Sequence, residues 1–197
     1  MIRAIIFDLD GVYFDKGSDD FYINISEKFN VPLEKAKEAF FGEEMKRHKR
    51  GETSKEEYWG WFIKELCIDT TPEKLIEMMR KMYHADDKIR DLVKDVRRKG
   101  FETIVCSNNF QERVDFLRDD FDLGSVFDHI YFSCEQGMLK PGLIDVMLNE
   151  TGFRPEEILL IDDMEYNFKG LDEKGIKYML YQDFSQLTEY LKEISIL

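Results

Sequence analysis

Short apolar runs alternate with amphipathic stretches over much of this chain. The run that opens at Ala4 and those at 101–106, 130–133 and 158–161 lack the polar alternation of a half-exposed strand. They read as strands covered on both faces, the pattern of a parallel sheet, and 178–181 reads as a shorter fifth. Helical periodicity follows each: 87–99 ending at Lys99-Gly100, then 110–119, a stretch from the Gly137–Gly142 turn to about 151, 164–174 and 185–194. Strand and helix in repeated succession imply a doubly wound parallel sheet with right-handed crossovers, a Rossmann-like α/β core.

One region breaks the alternation. Four helical patterns, at 19–29, 33–48, 54–66 and 72–84, follow the first strand with no strand between them. Pro32 precedes the second, Thr53-Ser54-Lys55-Glu56-Glu57 opens the third, and Pro72 stands at the first turn of the fourth. They read as a four-helix module inserted into the parent domain. The expected division is a core of 1–15 and 86–197 and an inserted cap of 16–85, hinged near 14–18 and 84–88.

Composition narrows the class. At 197 residues with 43% apolar content, the chain can bury a core of its own. The net charge of −13 argues against nucleic acid or an anionic lipid surface as a partner, leaving local basic patches to attract phosphate. Three cysteines without C-x-x-C spacing read as reduced thiols. No apolar stretch approaches the ~20 residues of a membrane span, and Asp8 and Asp10 interrupt the short N-terminal apolar run, so no signal peptide is expected. A cytoplasmic protein, monomeric or homodimeric, is the expectation.

The candidate chemistry sits where strands end. Asp8 and Asp10, at i and i+2, point to the same side at the carboxyl end of the first strand, and Gly11 follows. The second strand ends at Ser107-Asn108 and the fourth at Asp162-Asp163, while Lys140 lies in a turn leading into a helix. Parallel strands gather such groups at one edge, where open α/β sheets bind ligands. Asp8, Asp10 and Asp163 can hold Mg2+ through oxygens. Lys140, Ser107 and the backbone N–H groups after Ser107 make an anion site. A metal beside an anion pocket describes phosphoryl transfer.

These motifs, Asp8-Leu9-Asp10-Gly11-Val12, Val105-Cys106-Ser107-Asn108, Leu139-Lys140-Pro141 and Leu160-Ile161-Asp162-Asp163 running on to Asn167, stand in the order found in the haloacid dehalogenase superfamily. The chain resembles the branch with a helical cap after the first strand, over its whole length. The resemblance implies Asp8 as nucleophile, forming an aspartyl-phosphate. Asp10 would protonate the leaving group, then activate water, and bind Mg2+ through its carbonyl. Ser107 and Lys140 would hold the phosphoryl group. Asp163 would ligate the metal, with Asp162 as ligand or support. Asn167 departs from the pattern, standing where many members carry a second acid.

Substrate recognition is expected from the cap. The densest basic run, Lys46-Arg47-His48-Lys49-Arg50, lies between the second and third cap helices, and Arg47 or Arg50 could pair with a second phosphate or a carboxylate. Tyr58, Trp59, Trp61 and Phe62 are expected to pack the cap, with one ring available to the cleft. His48, His84 and His129 read as surface or loop histidines, and Cys106 as packing. The implied function is a Mg2+-dependent phosphatase of a small phosphorylated metabolite, a sugar phosphate or nucleotide. The alternatives are a sugar phosphomutase, a metal-independent 2-haloacid dehalogenase, disfavoured by the acid at Asp10, and a non-catalytic binding protein.

Overall fold

In the computed structural model, which describes residues 1–14 and 17–197 with the side chains of 17–20 excepted, the apolar runs form one parallel sheet. Its strands are β1 (Ala4–Phe7), β2 (Glu102–Ser107), β3 (His129–Phe132), β4 (Ile158–Asp162) and β5 (Lys177–Leu180), in the order β3-β2-β1-β4-β5. In register, Phe7 lies between Val105 of β2 and Ile161 of β4, and the Asp8 N–H continues the ladder to the Ile161 carbonyl at 2.9 Å. The first residues beyond β1, β2 and β4 therefore leave the sheet side by side. That register builds the site.

Both faces of the sheet are covered, which is why its strands carry no polar alternation. Ile5 and Phe7 face one apolar cluster and Ala4 and Ile6 the other, as the two-residue period of a strand requires. Between β1 and β2 lie α1 (Gly17–Phe29), α2 (Leu33–Phe41), α3 (Glu43–Lys49), α4 (Lys55–Leu66) and α5 (Pro72–Arg80), followed by α6 (Asp87–Arg98). After β2 come α7 (Gln111–Phe121) and α8 (Leu123–Val126); after β3, α9 (Ser133–Gln136) and α10 (Gly142–Thr151). A 3-10 turn (Glu165–Phe168) and α11 (Leu171–Lys174) follow β4, and α12 (Phe184–Glu193) follows β5.

The helix starts follow local chemistry. Ser54 and Glu57 close a reciprocal capping box on α4, and the Thr71 hydroxyl caps α5 with Pro72 at its first position. Two expected helices are broken. The pattern at 33–48 is two helices, because Gly42 is extended (φ −71°, ψ −173°) and an added Cβ there would fall 2.5 Å from the Glu38 carbonyl. Among the described residues the inserted set is thus five helices, not four. The pattern at 164–174 is a 3-10 turn and a short α11 separated by Gly170 at φ +77°.

The chain passes from sheet to inserted helices and back along adjacent segments. Phe14 bridges antiparallel to Ala85, and Asp86 N–H donates to the Tyr13 carbonyl at 3.0 Å. The expected boundary at 15/16 and the centre of the expected hinge at 14–18 lie outside the described residues. One apolar cluster joins Ile5 and Phe7 of the sheet to Phe21, Phe40, Trp59 and Phe62 of the inserted helices. Among the described residues no helix is long and apolar enough to cross a membrane.

Candidate active site

Beyond β1 the chain turns tightly, with the N–H groups of Tyr13 and Phe14 both donating to the Leu9 carbonyl, at 2.9 and 2.8 Å. This turn presents Asp8 and Asp10 to a recess of about 70 Å³ that Lys49, Ser107, Asn108, Asp163 and Asn167 also line. Asp8 is buried; its Oδ1 accepts from the Leu9 N–H at 2.8 Å and its Oδ2 pairs with Lys140 Nζ at 2.9 Å. Asp10 Oδ1 accepts from the Tyr83 hydroxyl at 2.8 Å, and Oδ2 pairs with the Arg113 guanidinium at 2.9 Å.

Lys140 is buried and shared, with Nζ 2.5 Å from Asp162 Oδ2 as well as against Asp8. Burial alone would lower its pKa, but Asp162 and Asp8 together outweigh that and hold the ammonium charged. Its backbone N–H donates to Asn108 Oδ1 at 2.8 Å, so the side chain at the end of β2 fixes the turn that delivers Lys140. Ser107 is buried and accepts from Asn109 Nδ2 at 3.3 Å. Of the N–H groups after Ser107, that of Asn109 is taken by Ser133 Oγ at 2.8 Å. The anion site expected there has one donor fewer than the sequence implied.

Asp8, Asp162 and Asp163 each bring a carboxylate oxygen within 4.8 Å of the others, a set of hard oxygens suited to Mg2+. Asp162 is the most committed of the three: besides Lys140, its oxygens accept from Met164 N–H at 2.8 Å and from Asn167 Nδ2 at 2.9 and 3.0 Å. That favours the supporting role over direct ligation. Asn167 Oδ1 is buried with no hydrogen-bond partner among the described residues, leaving a further oxygen at the recess. The contact between Asp163 and the loop is so close that a Cβ on Gly11 (φ +78°) would lie 2.2 Å from Asp163 Oδ2. Burial, then the Asp162 charge, raises the Asp163 carboxyl to about 6; burial also raises Asp8, to about 7, against the pull of Lys140. Crowded carboxylates of this kind are what a divalent cation relieves.

The recess opens into a second cavity of about 730 Å³ under the inserted helices. Tyr22, Phe41, Met45, Met164 and Tyr166 give it apolar walls, and Lys37, Lys46 and Lys49 give it positive charge. Here one expectation is corrected. Neither Arg47 nor Arg50 lines either cavity. Helical phase is the reason: residues 46 and 49 share the face of α3 turned to the site. Arg47 pairs with Glu44 and Glu52 at 3.0 and 3.5 Å, and Arg50 with Glu52 and Glu43 at 2.5 and 3.3 Å.

Lys49 spans both cavities, and no side-chain hydrogen bond or ion pair joins its ammonium to another described residue. Burial, and next the Arg113 charge, lower it to about 8 against the opposing pull of Asp10 and Asp8. Its carbonyl is anchored by Ser133 Oγ at 2.6 Å. The aromatic residues of α4 pack as expected, but the rings facing the cavity are Tyr22, Phe41 and Tyr166. His48 is not a surface histidine. It is buried, stacked on Tyr58 (4.5 Å between ring centroids) and Phe110 (5.2 Å), with Nε2 3.0 Å from Glu112. Cys106 is buried, and burial pushes its thiol to about 12, an inert packing group.

Sequence reasoning missed Lys49, Tyr83 and Arg113. Lys49 stood within the basic run it singled out; the other two are an isolated tyrosine and an arginine on an amphipathic helix, with no local pattern to mark them.

Comparison with known proteins agrees with this geometry. Residues 5–181 match the family model described as haloacid dehalogenase-like hydrolase. The chain is 25% identical to the bifunctional epoxide hydrolase 2 of Sus scrofa, over 98% of this chain and 39% of that protein. It therefore spans well under half the length of that relative. It is 24% identical to the phosphoglycolate phosphatase of Aquifex aeolicus, over 91% of this chain and 84% of that one. Among solved structures, a haloacid dehalogenase family enzyme of Bacteroides thetaiotaomicron in complex with magnesium and inorganic phosphate superposes with a TM-score of 0.76 at 19% identity, covering 95% of this chain and 99% of that one. With the family model spanning nearly the whole parallel sheet and every strand-end motif, this chain belongs to the haloacid dehalogenase-like hydrolases.

Proposed function

We propose that the chain is a Mg2+-dependent phosphatase of small phosphomonoesters, acting through an aspartyl-phosphate on Asp8. The observation that carries this reading is the meeting of four separate chain segments in one recess, with Asp8 held by Lys140 beside Asp10, Ser107 and Asp163. Fold alone would not support it. The relative of known name that acts on a phosphomonoester, and the neighbour that binds magnesium and phosphate, support it as well.

In this reading an Asp8 carboxylate oxygen attacks phosphorus, and the bond from phosphorus to the leaving oxygen breaks as Asp10 gives that oxygen a proton. Asp10 then takes a proton from water as the water attacks phosphorus. The bond to Asp8 breaks, and inorganic phosphate leaves. Ser107 and Lys140 hold the phosphoryl oxygens throughout. Asp8, Asp163 and the Asp10 carbonyl would hold Mg2+, with Asp162 behind them and Asn167 Oδ1 near by. When bound, the metal supplies positive charge against the phosphoryl oxygens and between the crowded carboxylates.

The large cavity receives the rest of the substrate. Helices α1–α5 act as the cap, and the lysines on their inner side select a leaving group that carries a second anion, with Lys49 in the part first expected of Arg47 or Arg50.

The test is phosphate release from a panel of small phosphomonoesters, with Mg2+ or with EDTA, by wild type and Asp8→Asn. Release that needs Mg2+ and falls by at least about a thousandfold in Asp8→Asn is the expected result. Release that survives both changes would overturn the mechanism. Interconversion of isomeric sugar phosphates without release would move the assignment to a phosphomutase.

A further inference from the structure

Arg113 carries a full charge into a place where the structure exposes none of it, 0% accessible on α7. Buried guanidinium groups are costly unless every donor is used well, so its partners should say what it is for. One guanidinium nitrogen pairs with Asp10 Oδ2 at 2.9 Å and also donates to the Asn108 carbonyl at 3.2 Å. The other terminal nitrogen donates to the Tyr83 hydroxyl at 2.7 Å, and Tyr83 donates in turn to Asp10 Oδ1 at 2.8 Å. Nε donates to Asn109 Oδ1. The Phe110 ring lies against the guanidinium, its centroid 4.8 Å from Cζ.

Asp10, Tyr83 and Arg113 thus close a ring of three hydrogen-bonded contacts, and each residue comes from a different segment. Asp10 is on the outgoing loop after β1. Arg113 is in the first turn of the helix that follows Ser107. Tyr83 lies between α5 and α6, on the segment that returns from the inserted helices and pairs with the outgoing one through Phe14 and Ala85.

We propose that Arg113 and Tyr83 are positioning residues that clamp both oxygens of Asp10. The proposal rests on the role given to Asp10 under Proposed function. A carboxyl held at both oxygens has its remaining lone pairs aimed in fixed directions, and proton delivery to a leaving oxygen is sensitive to that aim.

Removing Arg113 would endanger the fold, so Tyr83→Phe carries the test. Its ring stays in place against Phe14 and Phe116 (5.5 and 5.3 Å between centroids), and only the hydroxyl is lost. The probes are phenyl phosphate and p-nitrophenyl phosphate, which have similar bodies but differ in how much the departing oxygen needs a proton. The quantity read is kcat/KM, which reports the step in which that oxygen leaves. Expected is a loss of about tenfold or more on phenyl phosphate, with about twofold or less on p-nitrophenyl phosphate and an unchanged melting temperature. Arg113→Lys, which keeps charge but not the planar fork, should show the same selective loss. Equal losses on both probes, or none on either, would overturn the clamp. Wild type that hydrolyses neither these nor any other phosphomonoester would instead overturn the phosphatase reading beneath it.

Discussion

Lys140 and Lys49 are two lysines at one site held in opposite ways. Lys140 sits between Asp8 and Asp162, so its charge is secured by the protein itself. Among the described residues Lys49 has no such partner, and burial together with the Arg113 charge lowers it to about 8. It is therefore the cation that an incoming anion would most benefit. Lys49→Met is expected to lower kcat/KM about 10- to 100-fold on a phosphomonoester bearing a second anion, and little on one without it. Arg50→Met, whose guanidinium is spent on Glu43 and Glu52, should change either value less than about twofold. The pH dependence has a definite sign. A lysine whose pKa is lowered is charged below about 8 and neutral above it, so kcat/KM on the doubly anionic substrate should fall as pH rises through that value. Lys49→Arg, which stays charged, should remove that limb; a limb unchanged in Lys49→Arg would assign it to another group.

Among the elements, α3 joins α1 and α2 in covering the sheet edge, and it supplies Met45, Lys46 and Lys49 to the cavity wall. Its far end is fixed to the sheet side by three contacts: Ser133 Oγ on the Lys49 carbonyl, His48 on Glu112, and Gly51 against the Cys134 carbonyl. Gly51 has φ +70°, and a Cβ there would lie 2.5 Å from that carbonyl oxygen. Gly51→Ala must therefore both strain the backbone and push the end of α3 away. It should destabilise the protein by more than about 1 kcal/mol in urea unfolding and weaken the doubly anionic substrate as Lys49→Met does. A loss of stability without the change in substrate preference would show that α3 keeps its place by other contacts.

At the level of the whole molecule, the apolar interior does not stop where the inserted helices meet the sheet. Continuous packing couples the two parts in unfolding, although the chain divides them. Both tryptophans, Trp59 and Trp61, lie in α4, so their fluorescence follows the inserted helices while far-UV circular dichroism follows the entire chain. The two signals should give one coincident urea transition. Phe62→Ala, which empties a fully buried position, should shift both together by about 3–5 kcal/mol. Two separated transitions would show the inserted helices to be an independent folding unit. The net charge of −13 also acts at this scale, since an acidic exterior leaves the lysine-lined cavity as a local positive field that favours an anionic ligand.

The strands, their parallel arrangement and the polar groups at the strand ends were legible along the chain because each depends on a short-range pattern. A run such as Ile158–Asp162 is apolar because both its faces are covered, and Asp8, Ser107 and Asp162 come together once parallel register is granted. Helix breaks were less legible: Gly42 and Gly170 end helices through backbone geometry that periodicity averages away. The basic run at 46–50 was recognisable as such. Which member faces the site depends on the direction of α3, and that is set by packing between segments far apart in sequence. Arg113 and Tyr83 left no trace of their part for the same reason. A buried charge is defined by the partners that surround it, here Asp10, Asn108 and Asn109, and no spacing within one segment records such a meeting. Short-range pattern thus carries the architecture and the polar groups at the strand ends, while the aim of those groups follows from long-range packing.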